Sequence, residues 1–149
     1  YGVNSEGSGD MYYKGALLLN TIRSTINDDK KWWNIILEYS NTYKHQIIDS
    51  KTVIDFFNQK SGLNLTPIFE QYLKYVNIPI LELKVENKKL SYRWKTDVAN
   101  FEMPVSIEFK NEEKRLQATN EWKTSNFKVK DIQEINVLKN SFYIDVKIK

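Results

Sequence analysis

The sequence predicts an α+β fold: an N-terminal helical segment of about four helices, followed by a seven-stranded immunoglobulin-like β-sandwich. Two observations carry this. Apolar residues recur at helical spacing as far as Leu73, and after Pro79 the period falls to two. The second half then offers about seven short strands at close, regular spacing, the pattern of such a sandwich. The expected organisation is residues 1–77 as the helical part and 78–149 as the β-sandwich domain. The junction Val76-Asn77-Ile78-Pro79 is short and not rich in flexible residues, so the two parts should pack together.

Each helix has its own start and stop signals. Asp10 is placed to accept orphan N–H groups as an N-cap, ahead of Leu17, Leu18, Ile22 and Ile26. Asn27-Asp28-Asp29 caps a second helix, whose wide apolar face holds Trp32, Trp33, Ile36, Leu37, Tyr39 and Tyr43. Thr52-Val53-Ile54-Asp55 resembles a capping box and opens a short helix through Phe56 and Phe57, ending at Ser61-Gly62. Thr66 is expected to cap the fourth helix, with Pro67 at N1, where a missing N–H costs nothing.

The strands follow Pro79. They are Ile80–Val85, Leu90–Trp94, Val105–Phe109, Arg115–Thr119, Asn126–Val129, Ile135–Val137 and Phe142–Ile148. Asn87-Lys88 is a hairpin signal between the first two, and Glu112-Glu113 is read as part of a later hairpin turn. Trp94 is expected in the core. There is no internal repeat and no low-complexity segment.

Composition narrows the function. The chain has 149 residues, 41% of them hydrophobic, and a formal net charge of +3. Positive and negative side chains are interspersed, which argues for solvated faces and against a nucleic-acid surface. There is no cysteine, so disulfides, thiolate catalysis and cysteine-based zinc sites are excluded. No apolar run approaches the about 18 residues that span a bilayer. The start, with Gly2, Asn4, Ser5, Gly7, Ser8 and Gly9 behind Tyr1, reads as a cut through a loop of something larger.

Few residues are placed for chemistry. His45 is the single histidine, whereas catalytic zinc sites use three protein ligands, commonly including two histidines. No serine sits in a nucleophile-elbow pattern. Asp28-Asp29 is explained by helix capping. Gly7-x-Gly9 follows no strand and carries no nucleotide signature. The helical aromatics read as core, and Trp122 as core or an exposed contact. Tyr12 remains, at the mouth of the first helix, where its hydroxyl can reach a cleft.

Tyr12-Tyr13-Lys14-Gly15 matches the Y-x-K-G pattern of the zinc metalloaminopeptidases related to aminopeptidase N, the gluzincin aminopeptidases. The similarity continues in order. Gly15 to Arg23 resembles that family's apolar helix, and Thr52-Val53-Ile54-Asp55-Phe56 its threonine-started helix. Ser61-Gly62-Leu63-Asn64-Leu65 resembles its S-G-x-x-L turn, and Phe69-Glu70-Gln71-Tyr72-Leu73 its aromatic helix. Ile78-Pro79-Ile80-Leu81 and Phe101-Glu102-Met103-Pro104-Val105 resemble pieces of its β domain.

The resemblance implies a zinc-dependent removal of N-terminal residues from peptides. It implies that Tyr12 donates a hydrogen bond to the oxyanion formed at the scissile carbonyl, a role that suits a neutral phenol. Tyr13 would be packed or exposed, Lys14 would help set the turn, and Gly15 would allow close backbone approach. H-E-x-x-H, the third ligand and the amine-binding motif are absent. The chain therefore resembles a C-terminal portion: 1–77 the end of the helical catalytic region, then the β domain. Zinc is expected in the intact enzyme and not in this fragment, which should be inactive alone. The expected partners are peptides with a free N-terminus and the missing upstream catalytic region. Helix faces around Leu17–Ile26 and Trp32–Leu37 should be covered by the β half or a neighbouring chain, or be left exposed. The alternative is a non-catalytic helical and immunoglobulin-like module that binds a protein or glycan through an exposed patch near Trp122.

Overall fold

The computed structural model describes residues 9–149; of the Gly- and Ser-rich start read as a cut loop, all but Gly9 lies outside them. Four helices come first: α1 (Asp10–Ile26), α2 (Asp29–Tyr43), α3 (Ser50–Ser61) and α4 (Thr66–Lys74). Seven strands follow: β1 (Ile80–Glu86), β2 (Lys89–Lys95), β3 (Glu102–Phe109), β4 (Glu112–Thr119), β5 (Lys123–Lys128), β6 (Ile135–Val137) and β7 (Asp145–Ile148).

The helix boundaries follow local chemistry, with three shifts from expectation. The N-cap position of α1 is Gly9, and Asp10 is the first helical residue. The α3 cap is Asp49, whose carboxylate accepts from the Thr52 N–H at 2.8 Å and the Thr52 hydroxyl at 2.6 Å. A carboxylate at Asp49 reaches two donors, so Thr52 falls inside the first turn. Leu65, not Thr66, occupies the α4 cap position without a side-chain cap bond. The Thr66 N–H instead donates to Asn64 Oδ1 at 3.3 Å, and Asn58 ties the turn to α3: its Oδ1 accepts from the Leu65 N–H at 2.7 Å and its Nδ2 donates to the Thr66 hydroxyl at 2.8 Å. Two signals hold as expected. Asp28 caps α2 through the Lys31 N–H at 2.9 Å, and Gly62 ends α3 at φ 72°.

The immunoglobulin-like sandwich is corrected. The strands form a four-stranded sheet, β5-β2-β1-β7, and a three-stranded sheet, β4-β3-β6, which do not close. The edge strand β7 runs parallel to β1, with Leu81 beside Val146 and Leu83 beside Ile148, so the larger sheet is mixed. An alternating pattern fixes which side chains face inward but not the direction of a partner strand. β6 has its expected bounds, Ile135–Val137, and is flanked by two short 3-10 turns, Ile132–Glu134 and Lys139–Ser141. The last strand starts later than expected, at Asp145 and not at Phe142. Asn87-Lys88 forms its predicted hairpin with both φ positive, at 51° and 60°. The later hairpin turns at Lys110-Asn111, so Glu112 and Glu113 open β4.

A single apolar cluster joins helices and sheets. It includes Ile22, Trp32, Phe57, Ile68 and Tyr72 from the helices, and Leu81, Trp94, Phe101, Val105 and Ile107 from the β half. Phe57 lies within 6.0 Å of Trp32, Tyr39, Phe56 and Phe69, ring to ring. Trp94 is core, as expected, and its indole N–H donates to the Met103 carbonyl at 2.8 Å. No described helix is long and apolar enough to cross a membrane.

Candidate functional site

Tyr12 stands in the first turn of α1, where the helix projects beyond the core. Its side chain is 72% exposed, and its hydroxyl makes no hydrogen bond to another described residue. Tyr12, Ala16 and Leu19 share a helix face by their spacing of four and three residues, and all three are exposed. On α2, Trp33 and Leu37 are also exposed, with the Arg23 guanidinium 5.6 Å from the Trp33 ring. The opposite faces are buried through Leu18, Ile22, Trp32 and Ile35. Of the outcomes foreseen for these helices, the β half covers the buried face of α1, α3 and α1 cover that of α2, and the opposite faces are open.

The C-terminal part of α1 is fastened to the β half. Asn20 Nδ2 donates to the Asn140 carbonyl at 3.1 Å, and the Tyr143 N–H donates to the Thr21 hydroxyl at 2.9 Å. One Arg115 nitrogen, Nη2, donates to the Ser24 and Thr25 carbonyls at 2.8 and 2.7 Å, satisfying carbonyls at the helix end. Burial lowers the Arg115 pKa from its ordinary value, and Glu113 opposes that shift.

Tyr13 is exposed and borders a groove of about 560 Å³ between α1 and the end of α4, whose walls include Lys14, Leu73, Tyr75, Val76 and Tyr143. Behind the groove, the Tyr72 hydroxyl donates to the Tyr143 carbonyl at 2.5 Å while the two rings stack at 5.9 Å. Burial pushes the Tyr72 phenol well above its usual range. No described residue closely approaches Gly15: a Cβ built there meets nothing within 4 Å. Any close approach at Gly15 would come from outside these residues.

Other candidates are resolved simply. His45 is exposed in the left-handed turn after α2. Among the described residues, no group of three or more His, Cys, Asp or Glu is arranged to hold a metal ion. Trp122 is half-buried, with Lys84 Nζ 4.5 Å and the Arg93 guanidinium 4.8 Å from its ring.

The residue that sequence reasoning missed is Gln71. It is fully buried, and its amide joins α4 to two loops. Nε2 donates to the Asn77 carbonyl at 2.8 Å, and Oε1 accepts from the Asp97 and Val98 N–H groups at 2.9 and 3.0 Å. The signal was present: Gln71 shares its face with Ile68 and Tyr72, a polar residue at an apolar position.

No protein-family model matches the chain, and no curated protein matches it in sequence. Among solved structures, the fold is similar to that of Legionella pneumophila aminopeptidase A, determined in complex with aspartic acid. The TM-score is 0.73 at 16% identity, over 95% of this chain and 18% of that one. The likeness is one of fold, to a peptidase. The chain spans less than a fifth of that protein's length.

Proposed function

We propose that this chain is a segment of a zinc-dependent aminopeptidase of the aminopeptidase N type, and that Tyr12 is its transition-state donor. One observation carries the reading. The first tyrosine of Tyr12-Tyr13-Lys14-Gly15 sits on the exposed end of a helix, its hydroxyl unclaimed within the described residues. The fold that surrounds it is shared with an aminopeptidase along nearly the whole chain.

The chemistry follows from the phenol. As a peptide carbonyl becomes tetrahedral, its oxygen gains charge. A neutral O–H held in place strengthens its hydrogen bond as that charge grows, so it favours the transition state over the bound substrate. The substrates are peptides with a free N-terminus. Among the described residues no group of three or more His, Cys, Asp or Glu could hold a zinc ion; its ligands would belong to the upstream catalytic region. The exposed apolar side chains of α1 and α2, Tyr12, Leu19, Trp33 and Leu37, are the natural boundary with that region.

The reading expects the purified 149-residue chain, incubated with zinc and an aminoacyl-anilide, to show no turnover above buffer. Zinc-dependent release of the aniline by this chain would contradict it.

A further inference from the structure

We infer that Lys14 is a positioning residue for Tyr12, acting by gripping the linker between α4 and β1. The inference rests on the assignment of Tyr12 above. Lys14 Nζ donates to the Tyr75 backbone carbonyl at 2.9 Å, across 61 residues of sequence. Tyr75 is the residue at which α4 ends in extended backbone.

This bond matters because of what the first turns of α1 lack among the described residues. From Asn20 onward the helix is fastened to the β half by Asn20, Thr21 and the Ser24 and Thr25 carbonyls. Gly9 offers no side-chain cap, and Met11, Tyr12 and Tyr13 are all exposed. Between Met11 and Leu19, among the described residues, Lys14 provides the side-chain hydrogen bond that reaches another element. An uncapped, unpacked helix end frays.

The linker that Lys14 grips is itself fixed. Two residues beyond Tyr75, the Asn77 carbonyl is held by the buried Gln71 amide, which also holds the Asp97-Val98 turn. Thus Tyr12 sits on a turn tied by Lys14 to a strap that Gln71 locks to the β half. Lysine is well matched to this span, because its long stem crosses the groove and its ammonium donates to a carbonyl dipole. Loss of the grip would let the first turn swing, and misplacement of a reacting group by about 1 Å costs up to about a hundredfold in rate.

Two measurements test this. In the 149-residue chain, Lys14→Met should speed amide hydrogen exchange at residues 14–17 by about fivefold or more, while exchange at residues 22–26 stays unchanged. Lys14→Arg should retain the protection, since a guanidinium can donate to the same carbonyl. In the longer enzyme, Lys14→Met should lower kcat about tenfold to a hundredfold with KM within about twofold, and Lys14→Arg should recover part of kcat. Unchanged exchange in Lys14→Met overturns the grip. Faster exchange with unchanged kcat, in an enzyme that Tyr12→Phe disables, overturns the positioning role. Unchanged turnover in Tyr12→Phe overturns the assignment of Tyr12 instead, and leaves the exchange result to judge the grip alone.

Discussion

Gln71 and Asp97 are joined at both ends of the glutamine amide: Oε1 accepts from the Asp97 N–H at 2.9 Å, and Nε2 donates to the Asp97 carboxylate at 3.1 Å. The same amide reaches the Asn77 carbonyl, so one buried side chain connects the last helix, the linker and the β2–β3 turn. Gln71→Leu keeps much of the volume and removes every one of these bonds. It should cost about 1–3 kcal/mol, the exposed flank of the turn being partly rehydrated. Urea unfolding of the two chains measures this.

Glu82 gives the fold a dependence on pH. Its side chain is 2% exposed in the larger sheet, covered by Arg93 at 2.7 Å and Lys149 at 2.9 Å. Burial alone would push the carboxyl up; the hydrogen bonds from Lys149 and Arg93 outweigh it and hold the pKa below its ordinary value. A depressed carboxyl stabilises the fold above its unfolded pKa, about 4.3, and loses that contribution as pH falls through the folded value. Glu82→Gln should therefore cost about 1–3 kcal/mol at about pH 7. The gap between the two chains should narrow below about pH 4. Thermal unfolding from about pH 3 to about pH 7 checks both statements; a gap that widens in acid would contradict them.

Gly62→Ala should destabilise by about 1 kcal/mol, because φ 72° is costly for any residue with a Cβ even though the space is open. Thermal unfolding of the two chains reads the difference.

Gly15→Ala should do the reverse in the 149-residue chain, stabilising α1 by about 0.5–1 kcal/mol, since the added methyl meets nothing and Ala favours a helix. A loss of stability in the same unfolding measurement would show that another part of the chain approaches Gly15 after all.

The helices were legible because caps and periodicity are local. Asp28 and Gly62 act where they were expected, and the error at Thr52 is a choice between neighbouring acceptors. Strand existence was legible too, since alternation marks a half-buried strand. Strand direction was not: nothing in Phe142–Ile148 says that β7 lies parallel to β1. The same limit applies around the candidate site. Tyr12 was visible from its motif, but the Lys14 bond to Tyr75 and the Gln71 node join residues far apart in sequence. Only the folded chain brings them together.

The most direct measurement is the steady-state turnover of an aminoacyl-anilide by the longer enzyme, unmodified and as Tyr12→Phe. A lost transition-state donor predicts a fall in kcat of about a hundredfold to a thousandfold, with the thermal midpoint unchanged. A Tyr12→Phe enzyme that turns over at the unmodified rate would contradict the account.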